Sequence, residues 1–345
     1  MGGSARRLFA LACLGALLAT TAASARAQAL SHWAFVRGGA KTRCARGGDF
    51  GFWVRRASPQ HLLLYFQPGG GCFSYATCAP GSDWFDDRVD AGDSPTHLNG
   101  IFDLQPAANP FRDWSIVFIP SCTGDVHVGS RTTTYRSQGR AVTIHHFGWR
   151  NSERALTWTY AHFPRPATVF IAGSSAGSVG SAFHAPELIE RYPRAVVGQL
   201  GDSLAFVFNR PLSLRDYAGL EHLPGWMRSR ADVRPGRFTM TSFMAHLSNH
   251  YPRVRFARFD FADDAVQQRF YAGVGGDPQQ FHDALKDAEA SLKSRAPAYR
   301  SYTACGTSHI ALSVPAFFTL STKGVALREW VAALSHHRDV ASVSC

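Results

Sequence analysis

The chain has 345 residues, 45% of them hydrophobic and 18% charged, with a formal net charge of +11. That length and apolar share suit one large globular domain with a sizeable core and exclude a disordered or low-complexity protein. Arginine supplies nearly all the positive charge, Lys41, Lys286, Lys293 and Lys323 being the only lysines, and no dense basic run is interleaved with aromatics, so nucleic-acid binding has no support.

Arg6 and Arg7 precede an apolar run, 8–19, that is too short to span a membrane. Ala25-Arg26-Ala27 then offers a small-residue cleavage site. The spacing predicts a removable export signal over 1–27 and a single domain over 28–345, secreted or periplasmic. No later stretch has the length and apolarity of a membrane span. Six cysteines remain in the exported part, Cys44, Cys72, Cys78, Cys122, Cys305 and Cys345. An even number in an oxidising compartment predicts disulfides, with Cys72–Cys78 the favoured pair and the other pairings open.

Segments 32–39 and 50–57 read as opening strands. HLLLYF (61–66) is a buried strand that ends at Pro68-Gly69-Gly70-Gly71, and SIVFIP (115–120) is another. A helix over 152–163 is stopped by Pro164 and Pro166. ATVFIAG (167–173) is the next buried strand and runs into GSSAGSVG. Pro186 is expected to break or restart the helix that follows. A strand over 194–200 ends near Asp202. Residues 203–241 read as an insertion over the sheet, rich in aromatics and Met. Then come a helix (242–251), a strand (254–261), a helix from about Asp264, a helix (281–292), a short strand (301–305) and a closing helix (324–334). Apolar strands alternating with helical segments predict an α/β protein, a mostly parallel sheet covered on both faces.

Gly173-Ser174-Ser175-Ala176-Gly177 fits G-x-S-x-G at the end of a strand and the start of a helix. That context predicts an α/β-hydrolase fold with Ser175 as nucleophile. The turn lifts the hydroxyl to the sheet edge, and the helix N-terminus favours negative charge nearby. A phosphate loop would want a lysine, and none is near. The first N–H of the helix, at Ala176, and the glycine loop, at Gly70 and Gly71, are the expected oxyanion donors.

Such folds order the triad Ser, acid, His. Of the later histidines, His309 alone sits in a small-residue loop just after the last strand. Asp264 follows the strand over 254–261 and is the favoured acid, with Asp202 and Asp263 as alternatives. Asp125 and His127 precede the serine, so a loop-stabilising hydrogen bond is the expected role there. His145 and His146 lack a carboxylate or cysteine at ligand spacing, so no metal is expected, and serine chemistry requires no cofactor.

Taken in order, these motifs resemble the pectin acetylesterase and Notum family of secreted α/β-hydrolases. That family has a Gly-Gly-Gly-Trp-Cys loop, a G-x-S-x-G serine, Asp-x-x-Gln, and a Cys shortly before a histidine. Here the loop reads Pro68-Gly69-Gly70-Gly71-Cys72, the serine motif is 173–177, Asp264-Ala265-Val266-Gln267 supplies the third motif, and Cys305 precedes His309. Pro68 and Gly71 replace the first glycine and the tryptophan, and no cysteine follows His309. The resemblance implies hydrolysis of an acyl ester, either acetyl on cell-wall polysaccharide or fatty acyl on a protein. A basic surface would suit an acidic polysaccharide. The aromatic insertion would suit longer acyl or polyester substrates. Amide hydrolysis, and a catalytically silent binding protein on the same fold, are the alternatives of other classes.

Overall fold

The structure, a computed structural model, describes residues 32–204, 219–234 and 236–345. The expected export signal and residues 205–218 of the expected insertion lie outside the described residues. In chain order the strands are β1 (Trp33–Arg37), β2 (Gly51–Arg55), β3 (Ser58–Phe66), β4 (Trp114–Ile119), β5 (Arg131–Ser137), β6 (Arg140–His146), β7 (Thr168–Ser174), β8 (Val196–Asp202), β9 (Arg255–Phe261), β10 (Arg300–Ala304), β11 (Ser321–Thr322), β12 (Val325–Ala326) and β13 (Val343–Ser344). The long helices are α1 (Gly148–His162), α2 (Ala176–Arg191), α3 (Met240–His250), α4 (Ala265–Gly273), α5 (Phe281–Arg295) and α6 (Leu327–Ser335).

Nine strands form one sheet in the order β1-β2-β4-β3-β7-β8-β9-β10-β13. β1 and β2 are antiparallel to their neighbours, and every pairing from β4 to β13 is parallel. β3 shows why its sequence is an unbroken apolar run. Its alternate side chains serve two cores. Leu62, Leu64 and Phe66 pack with Val179 and Phe183 of α2 and Phe243 of α3. Leu63 and Tyr65 pack with Phe118, Phe170, Phe259 and Trp330 of α6 on the other face. Each fully buried large apolar side chain of this kind contributes about 1.5–3 kcal/mol.

One expectation changes. α2 runs unbroken through Pro186, which is buried. Proline there removes one internal hydrogen bond, and the burial of nearly the whole of α2 against β3, β7 and β8 outweighs that loss. The segment between β4 and α1 holds two strands that the sequence patterning did not mark. Its Arg- and Thr-rich stretch forms a β5–β6 hairpin through Gln138 (φ 47°) and Gly139 (φ 77°), two left-handed residues that give a tight two-residue turn. Only Tyr135, Val142 and Ile144 of that hairpin are buried hydrophobics, which is why the sequence reads as polar loop.

The described part of the insertion belongs to the core. Leu223, Met227, Val233 and Phe238 are at most 2% exposed and join the α2–α3 cluster. The six cysteines among the described residues are all bridged, as Cys44–Cys122, Cys72–Cys78 and Cys305–Cys345. Among the described residues no helix is long and apolar enough to cross a membrane.

Candidate active site

The parallel strands bring the candidate residues to their C-terminal ends. β7 ends at Ser174, and Ser175 turns the chain into α2 with φ 53° and ψ −120°, a backbone state that a residue with a Cβ rarely adopts. The flanking glycines make the turn possible. A Cβ on Gly173 would lie 2.1 Å from the Gly177 carbonyl oxygen, and one on Gly177 would lie 2.0 Å from the Phe66 carbonyl oxygen. The serine motif therefore records how closely α2 packs on the ends of β3 and β7. Gly177→Ala is expected to destabilise the protein by about 1–3 kcal/mol or more, because backbone atoms rather than a flexible side chain block the methyl group. A denaturant midpoint that does not move would show that the packing yields freely.

The glycine loop follows β3. Gly70 has φ 64°, and a Cβ there would meet the Trp84 carbonyl oxygen at 2.0 Å. The N–H of Gly71 donates to that same carbonyl at 3.0 Å. Gly71 therefore has no N–H to offer an oxyanion, contrary to the sequence expectation, because a distant segment folds back onto the loop. Among the described residues no acceptor meets the Gly70 N–H. Ala176 opens α2, so its N–H has no acceptor within the helix. Gly70 and Ala176 are the two donors that remain of the expected three.

Asp264 caps α4. Its Oδ1 accepts from the N–H groups of Val266 and Gln267, both at 2.9 Å. His309 Nδ1 lies 2.8 Å from Oδ2 and 3.0 Å from Oδ1. Asp264 is fully buried, and the His309 side chain is 20% exposed. The Nε2 of His309 makes no hydrogen bond among the described residues. A carboxylate holding Nδ1–H leaves Nε2 as the basic nitrogen, the tautomer a general base requires.

The two alternative acids are engaged elsewhere. Asp263 bonds His282 Nδ1 at 2.8 Å and is half exposed. Asp202 is buried and accepts from the N–H groups of Ala311 (3.1 Å) and Leu312 (2.9 Å) and from the Ser174 hydroxyl (2.5 Å). Tyr65 in turn donates to Ser174 at 2.7 Å. Burial pushes the Asp202 carboxyl up to about 6 against the pull of these donors. Asp202 thus fastens the loop after His309 to the tip of β7. Its backbone carbonyl also accepts the Ser175 N–H at 2.7 Å, and the Ser203 hydroxyl donates to the His309 carbonyl. Sequence reading did not find Ser174, Ser203 or Tyr65, since nothing in their local pattern marks these long-range contacts.

Asp125 plays the expected loop role. Buried, it accepts from the Thr123 hydroxyl at 2.7 Å and the Gly148 N–H at 2.8 Å. His127 is pulled down to about 4 by burial and bonds the Gln67 carbonyl at 2.9 Å. His146, also lowered to about 4 by burial, sits between Tyr135 and the Thr123 carbonyl. Among the described residues no group of three or more His, Cys, Asp or Glu side chains is placed to hold a metal.

A parallel sheet in this order, a strained serine turn at its edge and an Asp–His pair two strands further on define an α/β-hydrolase. Among solved structures, the Wnt deacylase Notum from Drosophila is similar, with a TM-score of 0.62 and 18% identity over 88% of this chain and 92% of that one. At that identity the likeness is one of fold. The pectinacetylesterase family profile matches residues 25–219, and the chain belongs to that family and is a carboxylic ester hydrolase. The match takes in Gly70 and Ser175 and stops short of Asp264 and His309. No curated protein matches the chain.

Proposed function

We propose that the enzyme cleaves its ester through an acyl-enzyme on Ser175, with His309 as general base and acid and Asp264 as the residue that orients it. The observation that carries this reading is the Asp264–His309 pair, bonded through Nδ1 with Nε2 left unbonded, on the sheet edge that also presents Ser175. His309 takes the serine proton as Oγ attacks the carbonyl carbon. The N–H groups of Gly70 and Ala176 hold the oxyanion. His309 returns the proton to the leaving alcohol, and water then releases the acid by the same steps. Residues 1–27 serve as an export signal and 28–345 act as one domain outside the cytoplasm, a reading supported by three disulfides.

For the substrate we favour a small acyl group, such as acetyl, on a polysaccharide. The aromatic and Met side chains that suggest a long acyl pocket are already occupied. Phe238, Met240, Phe243 and Met244 are at most 1% exposed within the core. The second reading, a longer acyl chain, draws on the deacylase named above and on the aromatic content of 205–218. A fluorophosphonate probe should label the mature protein at Ser175 alone, and kcat/KM should fall from acetyl to long-chain esters. Absence of labelling in folded protein would favour a silent binding protein. A rise with chain length would select the longer acyl substrate.

A further inference from the structure

We propose that Gln267 is a positioning residue for the reaction, its side-chain amide holding Asp264 in the orientation His309 needs. This rests on the triad reading above. Gln267 Nε2 lies 3.1 Å from Asp264 Oδ2, the same oxygen that His309 Nδ1 meets at 2.8 Å. The amide is itself fixed from behind by Asp260 Oδ1 at 2.8 Å. Asp260 is paired with Arg258 at 3.1 Å, and Arg258 also pairs with Glu289. The chain of contacts therefore runs Arg258, Asp260, Gln267, Asp264, His309. Asp260 and Asp264 are fully buried, Arg258 is 1% exposed and Gln267 4%.

Three features set Gln267 apart from a packing residue. One NH₂ group stands between two buried carboxyl groups and donates one hydrogen to each. Its Oε1 is buried and has no hydrogen-bond partner among the described residues. An unmet carbonyl is a penalty that an apolar side chain of the same volume would not carry. The Asp264 carboxylate is also held differently at its two oxygens. The α4 backbone binds Oδ1 whatever the residue at 267, whereas among the described residues only the side chains of His309 and Gln267 meet Oδ2. The amide thus limits how much of the Oδ2 charge His309 feels and stops the carboxylate turning about its Cβ–Cγ bond. Among the described residues Asp202 on β8 also interacts electrostatically with His309. Glu289 on α5 and Arg258 on β9 act on Asp260. Burial pushes the Asp260 carboxyl up to about 8 even against the pull of Arg258 and of the Gln267 donor.

Two variants test this through pH profiles of kcat and KM. Gln267→Met keeps the volume and loses both donors. It should lower kcat about 10- to 100-fold, as expected for loss of a hydrogen bond to a charged group, with KM little changed. With Oδ2 left to His309 alone the imidazolium is favoured, so the acidic limb should move to higher pH and the loss should be largest at low pH. Gln267→Glu keeps the shape and one donor while protonated. Its loss should instead grow as pH rises and a third carboxylate ionises. Losses independent of pH in both variants, or KM rising while kcat holds, would mean that Gln267 only fills space. Fluorophosphonate labelling separates the two levels of the reading. An unlabelled Ser175 in the unaltered protein defeats the triad itself, whereas a labelled Ser175 with flat pH trends defeats this inference alone.

Discussion

Ser175→Ala is expected to abolish ester turnover and leave the fold in place. Loss of the nucleophile from a serine hydrolase lowers kcat by about 10⁶, down to the level that binding and the oxyanion donors sustain by themselves. The structure suggests why the protein should tolerate the change. The Ser175 hydroxyl does not cap α2, and alanine meets the same steric cost as serine at φ 53°. The turn is held by groups that remain, the Ser175 N–H on the Asp202 carbonyl and the close approach of Gly177 to Phe66. Turnover of a small acyl ester and a thermal melt on the same preparation check the expectation. Full turnover in a cleanly folded variant would remove Ser175 from the mechanism.

Asp264→Asn is expected to lower kcat by about 10⁴, the loss seen when asparagine replaces a triad aspartate and favours the wrong histidine tautomer. An asparagine amide at Oδ2 would present an N–H to His309 Nδ1, so the ring proton would move to Nε2, where it blocks acceptance from serine. Asp202→Asn should do much less. Its acceptors serve the Ala311 and Leu312 N–H groups and the Ser174 hydroxyl, and an asparagine keeps one oxygen for them. Its effect should appear mainly in stability, because the His309 loop is fastened there. Steady-state kinetics of both folded variants decide the matter. A larger fall in kcat for Asp202→Asn would place the acid one strand earlier.

The part of this site legible in the sequence is the part that strand ends define. ATVFIAG (167–173) followed by the serine motif reads directly, because apolar period and turn glycines are local signals. The same holds for His309, placed by the small residues after β10. Asp264 against Asp202 and Asp263 is a different problem. Asp202 ends β8 and the other two follow β9, and only the three-dimensional course of the chain shows which one meets His309. The Gly71 N–H misled for a related reason. Its acceptor, the Trp84 carbonyl, comes from a segment with no periodic signal. Cys72–Cys78 is close in sequence and could be paired by eye, whereas Cys44–Cys122 and Cys305–Cys345 span 78 and 40 residues and could not. The β5–β6 hairpin escaped because its exposed face is long in Arg and Thr and its buried face is small.

Each of the three bridges has one end next to a loop of the candidate site. Cys72 directly follows the glycine loop, Cys122 follows Ser121, whose side chain a Cβ on Gly69 would strike at 2.5 Å, and Cys305 stands four residues before His309. Cys44 and Cys122 also lie within the core cluster under α2 and α3, and Cys305–Cys345 ties the edge strand β13 to β10. Each bridge therefore pins a loop that carries or neighbours a candidate catalytic group. Reduction of the folded protein is therefore expected to loosen the glycine loop and the loop before His309 and to lower both stability and ester turnover, the loss of one native bridge costing about 2–5 kcal/mol, which a thermal melt and an ester assay with and without reductant check.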